Sequence, residues 1–325
     1  MTQRSKRLIV FGGTGFVGRH LLQRLASAGH SATVITRYAP AARDIALIPR
    51  TRLQQVDPYD TSAVARAMDG HDGVINLVGI LNERGSGGHG FRRAHVELVE
   101  KLIDGCRKTG IRRFIQMSAL NAGQGESYYL KTRGEAEDRI RSAGSLDWTL
   151  FRPSTIYGPD DSFLNRFATL LKISPVLPLA RPNSRMAPAF IDDVSLALAR
   201  AVDDPDTAGE TFELCGPDTM TLREIVVWLR DQLGLRRLVI GLPDWAGALQ
   251  GRFFDFVPGK PFSTDNFKSL LVDSVCKTDG FGALGIQPRS MKLMAPLWLS
   301  GNDRQYRYQD FRRRARPANR TSGPG

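Results

Sequence analysis

The 325-residue chain has no apolar run of the ~18–20 residues that a membrane-spanning helix requires. That argues against an integral membrane protein built from helices. Cysteine is scarce. Cys106, Cys215 and Cys276 lie far apart, with neither metal-ligand nor redox-pair spacing. No zinc module is expected from them, and the thiols read as buried or indifferent in a reducing compartment. Residues 1–7 lead straight into the first apolar segment, so no signal or transit peptide is expected and the chain reads as cytoplasmic. No zinc-finger, RNP-type or helix-turn-helix pattern occurs, so no specific nucleic-acid partner is expected. Acidic residues are outnumbered, 33 against 45 basic, and the formal charge is +12. Much of the excess sits in residues 304–325, where Arg304, Arg307, Arg312, Arg313, Arg314, Arg316 and Arg320 face a single Asp310. Such a tail is either a disordered, solvated end or a patch for anionic lipid or another acidic partner.

The first stretch with a pattern is residues 7–20. Leu8, Ile9, Val10 and Phe11 form a short apolar run that reads as a buried strand. Gly12, Gly15 and Gly18 follow at G-x-x-G-x-x-G spacing, and Val17, Leu21, Leu22 and Leu25 continue with helical period. Strand, tight turn and helix in this order form a dinucleotide cradle. Gly12 permits the turn, Gly15 lets a pyrophosphate approach, and Gly18 allows close packing. The N–H groups of the first helical turn, at Phe16 and Val17, then face the phosphates.

Strand 31–36 ends at Thr36 and Arg37, where a site for NAD(H) usually carries an acid on the ribose 2′-hydroxyl. A guanidinium suits a phosphate instead, which predicts NADP(H) in preference to NAD(H), with Arg37 on the 2′-phosphate. Asp57, after a strand at 53–56, is placed to accept from the adenine amino group. Strand 73–78 ends at Val78 and Gly79, where backbone contact with the cofactor ribose is expected. A helix is predicted over 91–108, strands over 113–117 and 146–151, and a helix from Tyr129 to about residue 142. Alternation of this kind predicts an α/β fold, a doubly wound parallel sheet of Rossmann type with a smaller C-terminal α/β lobe.

The expected organisation is a cofactor domain over 5–157, to which 186–202 returns, an interleaved lobe over 158–300, and a basic, disordered tail over 301–325. In the lobe, 174–188 reads as a surface wrap and Asp192–Asp193 as a helix cap. Strands are expected at 210–214 and 238–241. Thr221 and Glu224 read as a capping box for a helix over 222–233. Residues 291–299 are apolar and precede the arginine tail, which suits peripheral contact of 291–325 with an anionic membrane at its inner face.

The order of these motifs resembles the short-chain dehydrogenase/reductases of extended or atypical type. The resemblance rests on residues 12–18, 76–79, 117–119, the Tyr129 helix, 152–159 and 190–194. Segments 213–217, 241–243, 258–263 and 272–275 are similar to the branch containing the NADPH-binding accessory subunit of respiratory complex I and its bacterial relatives. It implies further cofactor contacts at Pro153 and Ile156, and a respiratory complex as a partner. It also implies a Tyr-x-x-x-Lys pair on one helix face, with the lysine orienting the ribose and lowering the tyrosine pKa. Here Tyr129 matches the tyrosine, Arg133 stands where the lysine belongs, and Ser118 lies near the family's serine with Ala119 beside it. An arginine is not a substitute for that lysine, because its charge is diffuse and its fork is flat. Tyr129, Arg133 and Ser118 are therefore candidates both for catalysis and for plain cofactor contact. Two functions stay open: a structural or redox-sensing NADP(H) holder, or a reductase or epimerase acting on a small carbonyl or alcohol, lipid-like or quinone-related.

Overall fold

The computed structural model describes residues 4–258 and 260–299. The predicted tail at 301–325 lies outside the described residues. The chain begins β1 (Arg7–Phe11), α1 (Phe16–Ser27), β2 (Ser31–Thr36), β3 (Thr51–Gln55), α2 (Thr61–Met68) and β4 (Gly73–Asn76). It continues α3 (His89–Arg92), α4 (Leu98–Thr109), β5 (Arg113–Met117), α5 (Tyr128–Arg141) and β6 (Asp147–Pro153). Next come β7 (Ile156–Tyr157), α6 (Leu164–Ile173), β8 (Val176–Leu179), β9 (Arg185–Met186), β10 (Ala189–Phe190), α7 (Ile191–Asp203) and β11 (Glu210–Leu214). The last elements are β12 (Met220–Thr221), α8 (Leu222–Gln232), β13 (Leu238–Gly241), α9 (Asp244–Phe254), α10 (Thr264–Ser269), α11 (Gly280–Ala283), α12 (Met291–Met294) and α13 (Pro296–Leu299).

Seven strands form one parallel sheet in the order β11-β6-β5-β4-β1-β2-β3. The alternation of a strand explains how both faces are covered. Leu8 and Val10 join the core shared with α1 and α7, while Ile9 and Phe11 join the opposite core with α2 and α4. The strand order reverses between β1 and β4. In such sheets the usual ligand position lies at that point, beyond the carboxyl ends of the strands.

Several expectations change. The helix predicted over 91–108 is present, but it runs through a π turn at Arg93–Glu97 that lies between α3 and α4. The segment 174–188 does more than wrap the surface, since β8 pairs in parallel with β13 and β9 pairs with β12. Strand β11, although within 158–300, is the edge of the large sheet beside β6. The cap of α7 is Phe190, without a side-chain bond. Asp192 pairs with His20 instead, and Asp193 with Arg289. Cys215 and Cys276 are joined in a disulfide, which their 61-residue separation concealed, and only Cys106 is a free thiol among the described residues. In 291–299, Met291, Ala295 and Trp298 turn into the core, and Trp298 stacks on Tyr157 and Phe190. Leu293 and Leu297 remain exposed. No helix among the described residues is long and apolar enough to cross a membrane.

Candidate nucleotide site

Predicted residues from six separate stretches of sequence stand in one row along the carboxyl edge of the sheet. Asp57 follows β3, Arg37 follows β2, Gly12 follows β1, Val78 and Gly79 follow β4, Ser118 follows β5, and Pro153 ends β6. Ile156 lies just beyond, in β7 against Ala189.

At the middle of the row, Gly12 has φ +77, and a Cβ there would lie 2.8 Å from backbone atoms of Leu77 and Val78. Only glycine lets β1 and β4 close up in this way. A Cβ on Gly18 would lie 2.5 Å from Gly13, so at Gly18 the helix α1 meets the glycine turn itself. Gly15 is the N-cap of α1. It gives no side-chain cap, and no acid stands in the first turn that holds Phe16, Val17 and Gly18. Helix α8 differs: the predicted box of Thr221 and Glu224 closes its N-terminus. The first-turn N–H groups of α1 and its positive end are thus left for an anion, a donor set that fits a pyrophosphate.

At the β2–β3 end, Arg37, Gln55, Val56, Asp57, Tyr59 and Arg93 line an open cleft of about 450 Å³. Arg93, from the π turn, lies over the Tyr59 ring at 4.5 Å. Burial raises the Tyr59 pKa, against the opposing pull of Arg93 and Arg37. The phenol therefore stays neutral in a cleft with two guanidiniums.

The β4–β6 end is built differently. Arg133 is 5% exposed. One guanidinium nitrogen, Nη1, donates to the carbonyls of Val78 (3.2 Å) and Met117 (3.0 Å), tying the ends of β4 and β5 together. Gly79 lies directly under the guanidinium, and its Nε is buried with no protein partner. Tyr129 is partly exposed, with the guanidinium 5.5 Å from its ring. Ser118 is buried and its hydroxyl donates to Glu137 Oε1 at 2.6 Å. Glu137 in turn accepts from Arg152 through both oxygens and from Arg141.

Sequence reasoning missed three groups here. His95 is buried beside Tyr129, ring centroids 5.5 Å apart. The Ile80 N–H donates to its Nε2 (3.3 Å), so Nδ1 carries the proton and donates to Thr132 Oγ1 (2.9 Å), which donates to the Tyr128 carbonyl (2.7 Å). Burial, reinforced by Arg133, drives the His95 pKa down to about 2. Glu137 and Arg152 were visible as charges, but their pairing was not. Glu137 falls four residues after Arg133 and four before Arg141, a helix-face signal that could have marked it. Arg93 could not have been found, because the π turn that places it has no mark in the hydrophobic period.

A family model described as NAD(P)H-binding matches residues 12–166. The mouse mitochondrial protein NADH dehydrogenase [ubiquinone] 1 alpha subcomplex subunit 9 is 28% identical over 299 residues, covering 87% of this chain and 77% of that one. The ceramide reductase of Caulobacter vibrioides is 29% identical over 248 residues, covering 74% of this chain and 76% of that one. The solved UDP-glucose 4-epimerase of Thermotoga maritima superposes with a TM-score of 0.72 at 15% identity, over 94% of this chain and 99% of that one. The chain thus has the Rossmann-like fold predicted from its motifs, and its sequence is similar to that of the complex I subunit, the branch those motifs pointed to.

Proposed function

We propose that this chain holds NADP(H) as an accessory, non-catalytic protein of a respiratory NADH dehydrogenase, with a structural or redox-sensing role. The observation that carries the proposal is Arg133. The cation that should orient the ribose and tune Tyr129 is buried and fixed on the Val78 and Met117 carbonyls. Ser118 supports it, because its hydroxyl donates to Glu137 and is not offered to a substrate. The adenosine would lie over Asp57 and Tyr59, with Arg37 on the 2′-phosphate and Arg93 beside it. The pyrophosphate would lie on the first turn of α1, and the nicotinamide ribose between Gly79, Tyr129, Pro153 and Ile156. When bound, the nicotinamide would supply a hydride acceptor or donor. The assignment to a respiratory partner follows the relatives named as complex I subunits.

Mass spectrometry of nucleotide released from the purified protein tests the cofactor: NADP(H) is expected, and NAD(H) would remove the role given to Arg37. Affinity capture from the native host tests the partner. Subunits of the respiratory enzyme are expected, and their absence from the captured set would refute the assignment. A second function, reduction of a lipid-like carbonyl, is favoured by the partly exposed Tyr129 and by likeness to a ceramide reductase. NADPH turnover that Tyr129→Phe abolishes would establish it and overturn the non-catalytic proposal.

A further inference from the structure

Helix α9 is packed the wrong way round for an ordinary surface helix. Its small residues face inward: a Cβ on Gly247 would lie 3.0 Å from Ala180 and Phe267, and one on Gly251 would lie 3.1 Å from Thr264. Its largest apolar residues face out. Trp245 is 73% exposed, Leu249 60% and Phe253 66%, at i, i+4 and i+8, and Phe256 just past the helix end is 89% exposed. Solvated surfaces rarely carry such a row.

The two-stranded sheet of β8 and β13 lies beside it, held by Gln250 Nε2 donating to the Pro178 carbonyl at 3.2 Å. Leu177, Leu179 and Val239 point inward. The alternate positions Val176 and Pro178, in register with Leu238 and Ile240, are all exposed and all apolar. A sheet with apolar side chains on both faces is covered on both faces when in use.

The charge around this surface is mainly basic. Lys172 at the end of α6, Arg236 just before β13 and Arg252 in α9 are exposed. The acids there are engaged: Asp244 pairs with Arg181 at 2.6 Å, and Asp255 accepts from the Thr264 N–H and hydroxyl. We propose that α9 and the outer face of β8–β13 dock on the headgroup region of an anionic lipid bilayer. A bilayer accepts projecting side chains of any outline, whereas a protein partner needs matched pockets. Trp and Phe suit the interface, and the lysine and arginines supply the electrostatic attraction that a lone apolar signal lacks. The surface differs from the 291–325 segment and is independent of the nucleotide proposal.

Co-sedimentation of the full chain with two kinds of vesicle tests this: phosphatidylcholine alone, and equal parts of phosphatidylcholine and phosphatidylglycerol. Binding is expected to the mixed vesicles and to weaken with salt. The triple substitution Trp245→Ser, Phe253→Ser, Phe256→Ser should lower partitioning by about a hundredfold or more, with the released nucleotide unchanged. The pair Arg236→Glu, Arg252→Glu, which removes no apolar surface, should lower binding to the mixed vesicles by about tenfold and leave the fold intact. Wild-type protein that ignores both vesicles, or either variant binding as wild type, would overturn the proposal. A wild-type dimer that the triple substitution converts to monomer, without vesicle binding, would assign the surface to a second copy instead.

Discussion

The two ends of the candidate nucleotide site hold similar side chains in opposite states. At the β2–β3 end, Arg37, Arg93 and Asp57 stand exposed around an open cleft. At the β4–β6 end, Arg133, Glu137 and His95 are buried, and their polar groups bond mainly to the protein itself. An exposed charge costs little to keep and is available to a ligand. A buried one is held only because partners replace its water, and it acts through those partners. The difference teaches that the side chains of the first end are free for a ligand, while those of the second hold the sheet ends together.

This contrast can be broken by substitution, and the largest effect is expected at the buried end. Glu137→Ala leaves Arg152 and Arg141 without their carboxylate and should lower folding stability by about 3–5 kcal/mol, measured by urea denaturation. Nucleotide affinity at saturating protein stability should change little; a large drop in affinity with intact stability would erase the distinction. Away from the cleft, Cys215→Ser opens the covalent link between the end of β11 and the 276 region. A loss of about 2–4 kcal/mol is expected, and the same loss on adding reductant to the wild type.

At the open end the reverse pattern is expected. Arg37→Ala should weaken NADPH binding by about 1.5–3 kcal/mol, roughly tenfold to a hundredfold, and leave NADH binding and ligand-free stability nearly unchanged. Calorimetric titration with both nucleotides reads this directly, and equal losses for the two would remove the 2′-phosphate assignment. The effect at His95 is graded by pH and is smallest near neutrality. Its folded pKa, near 2, lies below the unfolded value of about 6.5, so the unfolded chain binds the extra proton between them. Stability should therefore be full above pH 6.5 and fall by about 1.4 kcal/mol for each pH unit below it. His95→Gln should flatten that slope whatever it does to absolute stability.

How much of this was legible beforehand differs along the chain. Strands 31–36, 113–117, 210–214 and 238–241 appear with the predicted bounds, because apolar alternation and turn residues act locally. The capping box at Thr221 and Glu224 is equally local. The row of site residues was legible through the strand ends, since each stands one to three positions beyond a strand that the sequence marks. The disulfide was not legible, because its two cysteines are brought together only when the 276 region folds over β11. The inward turn of Trp298 and the outward turn of Trp245 were not legible either. The two tryptophans have the same chemistry, and only the neighbours that pack, glycines in one helix and aromatic rings by the other, decide which is buried.

By itself the sequence determined the parallel α/β sheet, the glycine turn and the unpaired first turn of α1, since backbone freedom and hydrophobic period are properties of neighbouring residues. It also determined that an arginine, not a lysine, follows Tyr129 by one helical turn. Only the tertiary structure decided what that arginine does. The carbonyls of Val78 and Met117 come from strands 55 and 16 residues away, and a buried guanidinium takes the partners that the fold places within its reach.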